Sequence, residues 1–221
     1  MGRLKLGVLI SGRGSNLQSL IDACTDTGAE TAFPAEIVCV ISNVVAAAGL
    51  VRAEAAGIPA TVIDHKEFSG SDDFETAVNG ALDAAGVELV CLAGFMRLLS
   101  DGFVARRHDR LINIHPSLLP AFKGLHVHER VIEAGVRFSG CTVHFVRAAT
   151  DEGPIIVQAA LAVHPADGPD TLAARVLAEE HRIYPLAVRL IAEGRVRVSN
   201  EVVEISGCRP PTGALINPQA D

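Results

Sequence analysis

Residues 4–93 alternate short, continuously apolar runs with amphipathic stretches, and few folds can accept that pattern. Leu4–Ile10, Glu36–Ile41, Ile58–Ile63 and Val87–Ala93 read as strands. Between them, Ser15–Cys24 places Leu17, Leu20, Ile21 and Cys24 at helical spacing, and Asp72–Ala85 does the same with Phe74, Val78, Leu82 and Ala85. Ala46–Ala56 is an alanine-rich third helix closed by Gly57, and Gly86 closes the helix before it. A strand that is apolar at every position must be covered on both faces, which requires helical crossovers and parallel neighbours. The expected class is therefore α/β, with a mostly parallel, doubly wound, Rossmann-like sheet.

The second half changes character. Leu111–His115 reads as a fifth strand and Val127–Ala134 as a short helix. Ser139–Val146 and Pro154–Val163 alternate partly around Thr150-Asp151-Glu152-Gly153, which predicts an antiparallel hairpin at one sheet edge. Thr171–Ala192 is a long helix with Pro185 inside it, expected to kink or split there. Arg195–Ile205 reads as a closing strand. At 221 residues and 49% hydrophobic, the chain can bury one large core and is too apolar for disorder. The expected organisation is one domain over residues 1–207, followed by a flexible C-terminal tail over 208–221.

Charge and cysteine usage narrow the function classes. The formal net charge of -7 argues against a broad nucleic-acid surface. No apolar run reaches the roughly 18 residues of a membrane span, and the apolar stretch after Met1–Lys5 runs into Ser11-Gly12-Arg13-Gly14, which is no cleavage site. Cys24, Cys39, Cys91, Cys141 and Cys208 are odd in number and widely spaced, with no CxxC pair. Reduced, mostly buried thiols in a cytoplasmic protein are expected.

In an open α/β sheet, ligands sit beyond the carboxyl ends of the strands, so Ser11–Asn16, Ser42-Asn43, Gly94–Leu99 and Asn113–Pro116 carry most weight. Gly12-Arg13-Gly14-Ser15-Asn16 follows the first strand and opens the first helix. Glycines permit a tight turn, and a helix N-terminus offers free N–H groups and partial positive charge to a phosphate. Ser15 or Asn16 could instead simply cap the helix. The pattern is one glycine short of a dinucleotide-binding loop. The second strand ends Ile41-Ser42-Asn43 without an acidic residue, and no Walker lysine follows the loop. A phosphate monoester fits better than NAD or ATP.

Leu111-Ile112-Asn113-Ile114-His115-Pro116 is the most informative segment. Strand alternation puts Asn113 and His115 on one face, and Pro116 ends the ladder beside them. A structural polar pair at a strand end is the bland alternative. Asn can donate to an oxyanion, and a protonated His can donate and pass a proton. Asp151 lies on a loop that could approach His115, and a carboxylate beside an imidazole favours the cationic form. Together the three suit the tetrahedral intermediate of acyl transfer with direct attack by an amine. Ser117 lies in no nucleophile-elbow motif, so a serine hydrolase is not expected. His126, His128, His144 and His115 could in principle share zinc. With no HExxH and no clustered Cys or carboxylate, no metal is expected.

Six segments in order carry a resemblance over about residues 6–200. They are VLISGRGSNLQSLIDA (8–23), LAGFMRLLS (92–100), LINIHPSLLPAFKGLHVH (111–128), GCTVHFV (140–146), DEGPIIVQ (151–158) and EEHRIYP (179–185). Together they resemble the phosphoribosylglycinamide formyltransferases, folate-dependent enzymes of purine biosynthesis. The resemblance implies transfer of the formyl group of 10-formyltetrahydrofolate to the amine of glycinamide ribonucleotide. It implies that Gly14, Ser15 and Asn16 hold the ribose phosphate, and that Leu177 and Glu180 meet the glycinamide end. Met96, Arg97, Leu98 and Leu99 would line the pteridine pocket. The loop Arg147, Ala148, Ala149, Thr150, Asp151 would close over it. Asn113, which also borders that pocket, His115 and Asp151 would be the catalytic trio, with His144 supporting them from a neighbouring strand.

One departure concerns the folate tail. The family commonly has an Arg just ahead of the aromatic matching Phe74, where this chain has Ser71-Asp72-Asp73. Two related activities are disfavoured: a formylfolate deformylase usually carries an N-terminal regulatory domain, and a methionyl-tRNA formyltransferase a basic C-terminal one. A non-catalytic sensor of nucleotide phosphates is the alternative from another class. The expected partners are small molecules, with neither nucleic acid nor membrane, and a homodimer is compatible with the sequence.

Overall fold

The computed structural model describes residues 2–26 and 32–218. The elements in chain order are β1 (Leu4–Ile10), α1 (Ser15–Thr25), β2 (Ala35–Ser42), α2 (Gly49–Ala55), β3 (Ala60–Val62), α3 (Ser71–Ala84), β4 (Leu89–Leu92), α4 (Asp101–Arg106), β5 (Leu111–His115), α5 (Val127–Glu133), β6 (Phe138–Phe145), β7 (Ile155–Ala162), α6 (Pro169–Ala192), β8 (Val196–Ser199) and β9 (Val202–Ile205). A seven-stranded sheet has the order β3-β2-β1-β4-β5-β6-β7. The strands from β3 to β5 pair in parallel, whereas β5–β6 and β6–β7 are antiparallel. The expected parallel sheet with an antiparallel hairpin at one edge is present.

Alternating positions of the central strands feed two separate cores. Leu6, Val8 and Ile10 of β1, with Leu89 and Cys91 of β4, pack on one face against Leu17 and Leu20 of α1 and Val176, Tyr184 and Val188 of α6. Leu9, Val90 and Leu92 point to the other face, against Phe74, Val78 and Leu82 of α3 and Phe103 of α4. Each central strand is thus out of water on both sides. At roughly 1.5–3 kcal/mol per fully buried large apolar side chain, this burial is what specifies strand identity here. Strand order reverses between β1 and β4, which opens a crevice beyond their carboxyl ends.

Two expectations need correction, and one helix adds to the reading. Residues 195–205 are not one strand but a separate two-stranded antiparallel sheet, β8–β9, which turns at Asn200 and Glu201 with φ of 50° and 58°. Helix α6 is not split: it runs over 24 residues through Pro185. Packing of its apolar face on both sheet and helices outweighs the lost backbone bond. Helix α4 is too short and too polar to show a hydrophobic period; it is started by the Ser100 hydroxyl accepting from Phe103 N–H at 3.2 Å. Within the expected tail, Asn217 Nδ2 donates to Arg137 O at 2.6 Å and Val163 O at 3.2 Å; residues 219–221 lie outside the described residues.

Cys39, Cys91 and Cys141 are buried, Cys24 is partly buried and Cys208 is exposed; all five are free thiols. Burial pushes the Cys24 and Cys39 thiols up to about 11 and Cys141 to about 12, so they are protonated at neutral pH.

The hairpin edge depends on one glycine. A Cβ at Gly140 would stand 1.9 Å from Ala159 O across the β6–β7 ladder. That atom is backbone, so no rotamer change relieves the clash. Gly140→Ala is expected to cost about 2–3 kcal/mol, or roughly 5–10 °C in Tm, measured by thermal melting.

Candidate active site

The loop after β1 is shaped by backbone contact. Gly14 is left-handed at φ 69°, and a Cβ there would lie 2.6 Å from Gly49 Cα at the start of α2. Gly49 N–H donates to Gly12 O at 3.0 Å. Gly14 is the N-cap of α1 and supplies no side-chain cap, so neither Ser15 nor Asn16 is the cap. The first-turn N–H groups stay available, as an anion site requires. The Asn16 side chain instead turns inward. Its Nδ2 donates to Glu180 Oε2 on α6 at 2.7 Å, and its Oδ1 is buried with no donor. Glu180 is buried too, and desolvation raises its carboxyl above the usual range although the Asn16 bond opposes this. Leu177 lies one helical turn earlier on α6, partly buried.

At the end of β5, Asn113 and His115 lie on one face, as alternation requires. The antiparallel register puts Asn113 directly opposite His144 of β6. His144 is only 1% exposed, and burial lowers its pKa. Its Nδ1 lies 2.9 Å from Phe145 O, which can only accept, so Nδ1 carries the proton and Nε2 the lone pair. Asn113 Nδ2, 3.3 Å from that Nε2, is therefore the donor. The contact fixes the carboxamide orientation and leaves its second N–H uncommitted.

His115 is buried between two acceptors. Its Nδ1 is 3.4 Å from Asp151 Oδ1, and its Nε2 is 3.0 Å from Phe122 O. Only the doubly protonated ring makes both contacts donor-to-acceptor. Asp151 adopts φ 51°, and its Oδ2 accepts from Gly124 N–H at 2.7 Å. The segment that brings Phe122 and Gly124 here is pinned from β6 and β7. Thr142 Oγ1 donates to Ser117 O at 2.7 Å and accepts from Leu119 N–H at 3.1 Å, and Gln158 Nε2 donates to Leu119 O at 3.0 Å. Nothing in the sequence pattern marked Phe122, Gly124, Thr142 or Gln158, because their contributions are backbone groups or loop supports.

Asp151 borders a hollow of about 220 Å³ formed with Leu119, Pro120, Lys123 and Glu152. Met96 and Leu98 are exposed on the segment after β4, whereas Leu99 packs on the core and the Arg97 guanidinium lies 5.4 Å over the Phe74 ring. Arg147 is bound to Asp109 Oδ1 and Glu201 Oε2, each at 2.7 Å, and Ala148, Ala149 and Thr150 are exposed. Ser71 is the first residue of α3 and is exposed. Among the described residues, no three His, Cys, Asp or Glu side chains are grouped as metal ligands, and no helix is long and apolar enough to cross a membrane. The structure thus unites Asn113, His115, His144 and Asp151 in one cluster and joins Asn16 to Glu180 in another.

The chain is similar to known proteins over most of its length. The family model described as formyl transferase matches residues 4–188. The chain is 41% identical over 213 residues to the phosphoribosylglycinamide formyltransferase of Haemophilus influenzae, covering 96% of this chain and 99% of that one. It is 50% identical over 196 residues to the chicken (Gallus gallus) trifunctional purine biosynthetic protein adenosine-3, covering 89% of this chain but only 19% of that relative. The crystal structure of glycinamide ribonucleotide transformylase 1 from Symbiobacterium toebii superposes with a TM-score of 0.88 at 47% identity, covering 92% of this chain and 94% of that one. With residues 4–188 matched by the family model, the chain belongs to the formyl transferase family.

Proposed function

We propose that this chain transfers the formyl group of 10-formyltetrahydrofolate to the amine of glycinamide ribonucleotide, a step of purine biosynthesis carried out in the cytoplasm. The observation that carries the reading is the Asn113–His144 and His115–Asp151 arrangement at one strand end. The ribose phosphate binds at the first turn of α1 beside Gly14 and Ser15. The glycinamide end, rich in N–H donors, meets the buried acceptors Glu180 and Asn16 Oδ1. The folate ring lies along Met96–Leu99, under the Arg147–Asp151 loop.

The amine nitrogen attacks the formyl carbon, and its lone pair forms the new C–N bond while the carbonyl pair moves to oxygen. Asn113 offers its uncommitted N–H to that oxyanion. His115 supplies a neighbouring positive charge, and Nε2 can exchange the Phe122 carbonyl for the reacting group. The tetrahedral adduct then collapses, the bond to N10 of the folate breaks, and the proton lost by the amine reaches N10 through His115 or water. Preorganised donors of this kind are worth most in a site with little water.

Loss of 10-formyltetrahydrofolate absorbance with and without glycinamide ribonucleotide tests the reading. Consumption that requires the ribonucleotide supports it. Consumption without it points to hydrolysis, and none in either case points to a nucleotide-phosphate sensor. Asn113→Ala is expected to lower kcat by about 10²–10³ with an unchanged melting temperature. His144→Ala should lower kcat roughly tenfold, and the double variant should be little worse than Asn113→Ala, because both remove one positioned donor.

The pH dependence follows from His144. Its folded pKa lies below the ordinary 6.5, so the acceptor for Asn113 survives mild acid and is lost as pH falls further. Unfolding takes up a proton in that window, so His144 also makes folded stability fall as pH drops through it. The acid limb of kcat should therefore be shallower in Asn113→Ala than in the wild-type chain, measured across about pH 5–8.

A further inference from the structure

Residues 93–100 join β4 to α4 and expose Met96 and Leu98 by 69% and 80%. An apolar loop left to itself would fold those side chains onto the protein. Here both ends are tied by polar groups that touch neither substrate in the reading above. At the near end, Met96 N–H donates to Ser11 Oγ at 2.8 Å, and the Ser11 hydroxyl donates to Asn43 Oδ1 at 2.6 Å. Ser11 N–H also donates to Gly94 O at 3.1 Å. Asn43 is buried, and its Nδ2 lies 3.3 Å from His65 Nδ1. A hydroxyl has one proton; because Asn43 takes it, only lone pairs face Met96, and the polarity of the chain of bonds is set.

At the far end, Ser100 N–H donates to Glu75 Oε1 at 2.7 Å and the Ser100 hydroxyl donates to Glu75 Oε2. Glu75 is only 5% exposed. Taking a carboxylate out of water is costly, and both its oxygens are here committed to one residue of this loop. Its neighbour Phe74 sits under Arg97, in the middle of the same segment. Ser11 holds the segment from the end of β1 and Glu75 holds it from α3.

We propose that Ser11 and Glu75 are positioning residues that hold residues 96–99 as a preformed ledge for the flat ring of the folate cosubstrate. The ledge lowers the ordering cost of binding, which is how preorganisation raises affinity. The inference rests on the formyl-transfer reading for its ligand, and its test separates the two. In steady-state assays, Ser11→Ala and Glu75→Ala are each expected to raise KM for 10-formyltetrahydrofolate by about 5–10-fold, the loss of one well-made buried hydrogen bond. Their kcat and their KM for the ribonucleotide should stay within about twofold. Ser11→Thr and Glu75→Gln, which keep a hydroxyl and one carbonyl acceptor, should recover most of the affinity.

Calorimetric titration of each variant with tetrahydrofolate lacking the formyl group gives a readout independent of turnover. The expected result is the same 5–10-fold weakening relative to wild type. If wild type binds this probe, the variants bind it more weakly and no transfer occurs, the ledge stands and the formyl-transfer reading fails. If transfer occurs but KM and probe affinity are unchanged in both alanine variants, the positioning role is overturned. It is equally overturned if kcat falls with KM constant, or if wild type does not bind the probe. Glu75→Met, which retains much of the side-chain volume but offers Ser100 no carboxylate, takes the place of Glu75→Ala should that variant not fold, with the same weakening of about 5–10-fold expected.

Discussion

Burial of β1 and β4 on both faces governs everything built at their ends. From Leu6 to Ile10 of β1 and along all of β4 every position is buried, so polar and reactive groups collect where the strands stop. The reversal of strand order between them leaves a crevice at that point. The glycine loop after β1 and the segment after β4 are its two walls. Gly14 can lie against Gly49 only because neither residue has a side chain, and this brings the start of α1 to the rim.

The antiparallel edge adds what a purely parallel sheet would lack. A strand running opposite to β5 places His144 level with Asn113, so two side chains 31 residues apart meet across one ladder rung. His144 is held neutral by burial and in one tautomer by the Phe145 carbonyl. Its single lone pair then dictates which way the Asn113 carboxamide points. The acceptor pair around His115 is built differently, from a carboxylate in a loop and a backbone carbonyl in another. One half of the cluster is thus specified by strand register and the other by loop closure, with Thr142 and Gln158 tying the loops to the sheet.

Much of this was legible from residue order. Continuous apolar runs identified the parallel strands, and two-residue alternation put Asn113 and His115 on one face. The glycine pattern located the start of α1. What misled was local chemistry that tertiary contacts overrode. Pro185 stays inside one helix because α6 is packed along its length. Residues 195–205 bend into a hairpin because Asn200 and Glu201 take left-handed turns, to which Asn is more tolerant than most residues but which no glycine announces. The ion pairs of Arg147 with Asp109 and with Glu201, a residue of that same unforeseen turn, are likewise contacts that residue order did not announce.

By itself, the order of residues determined the fold class, the strand ends at which polar groups collect and the identity of the groups gathered there. These follow from periodicity and side-chain type, which are local properties. Only the tertiary structure decided which of those groups touch: Asn16 with Glu180, Ser11 with Asn43 and Met96, and Glu75 with Ser100. Each contact depends on an angle and a distance set by how layers pack. A hydrogen bond weakens steeply once its donor angle falls below about 120°, and residue order does not encode orientation to that tolerance until the core has formed.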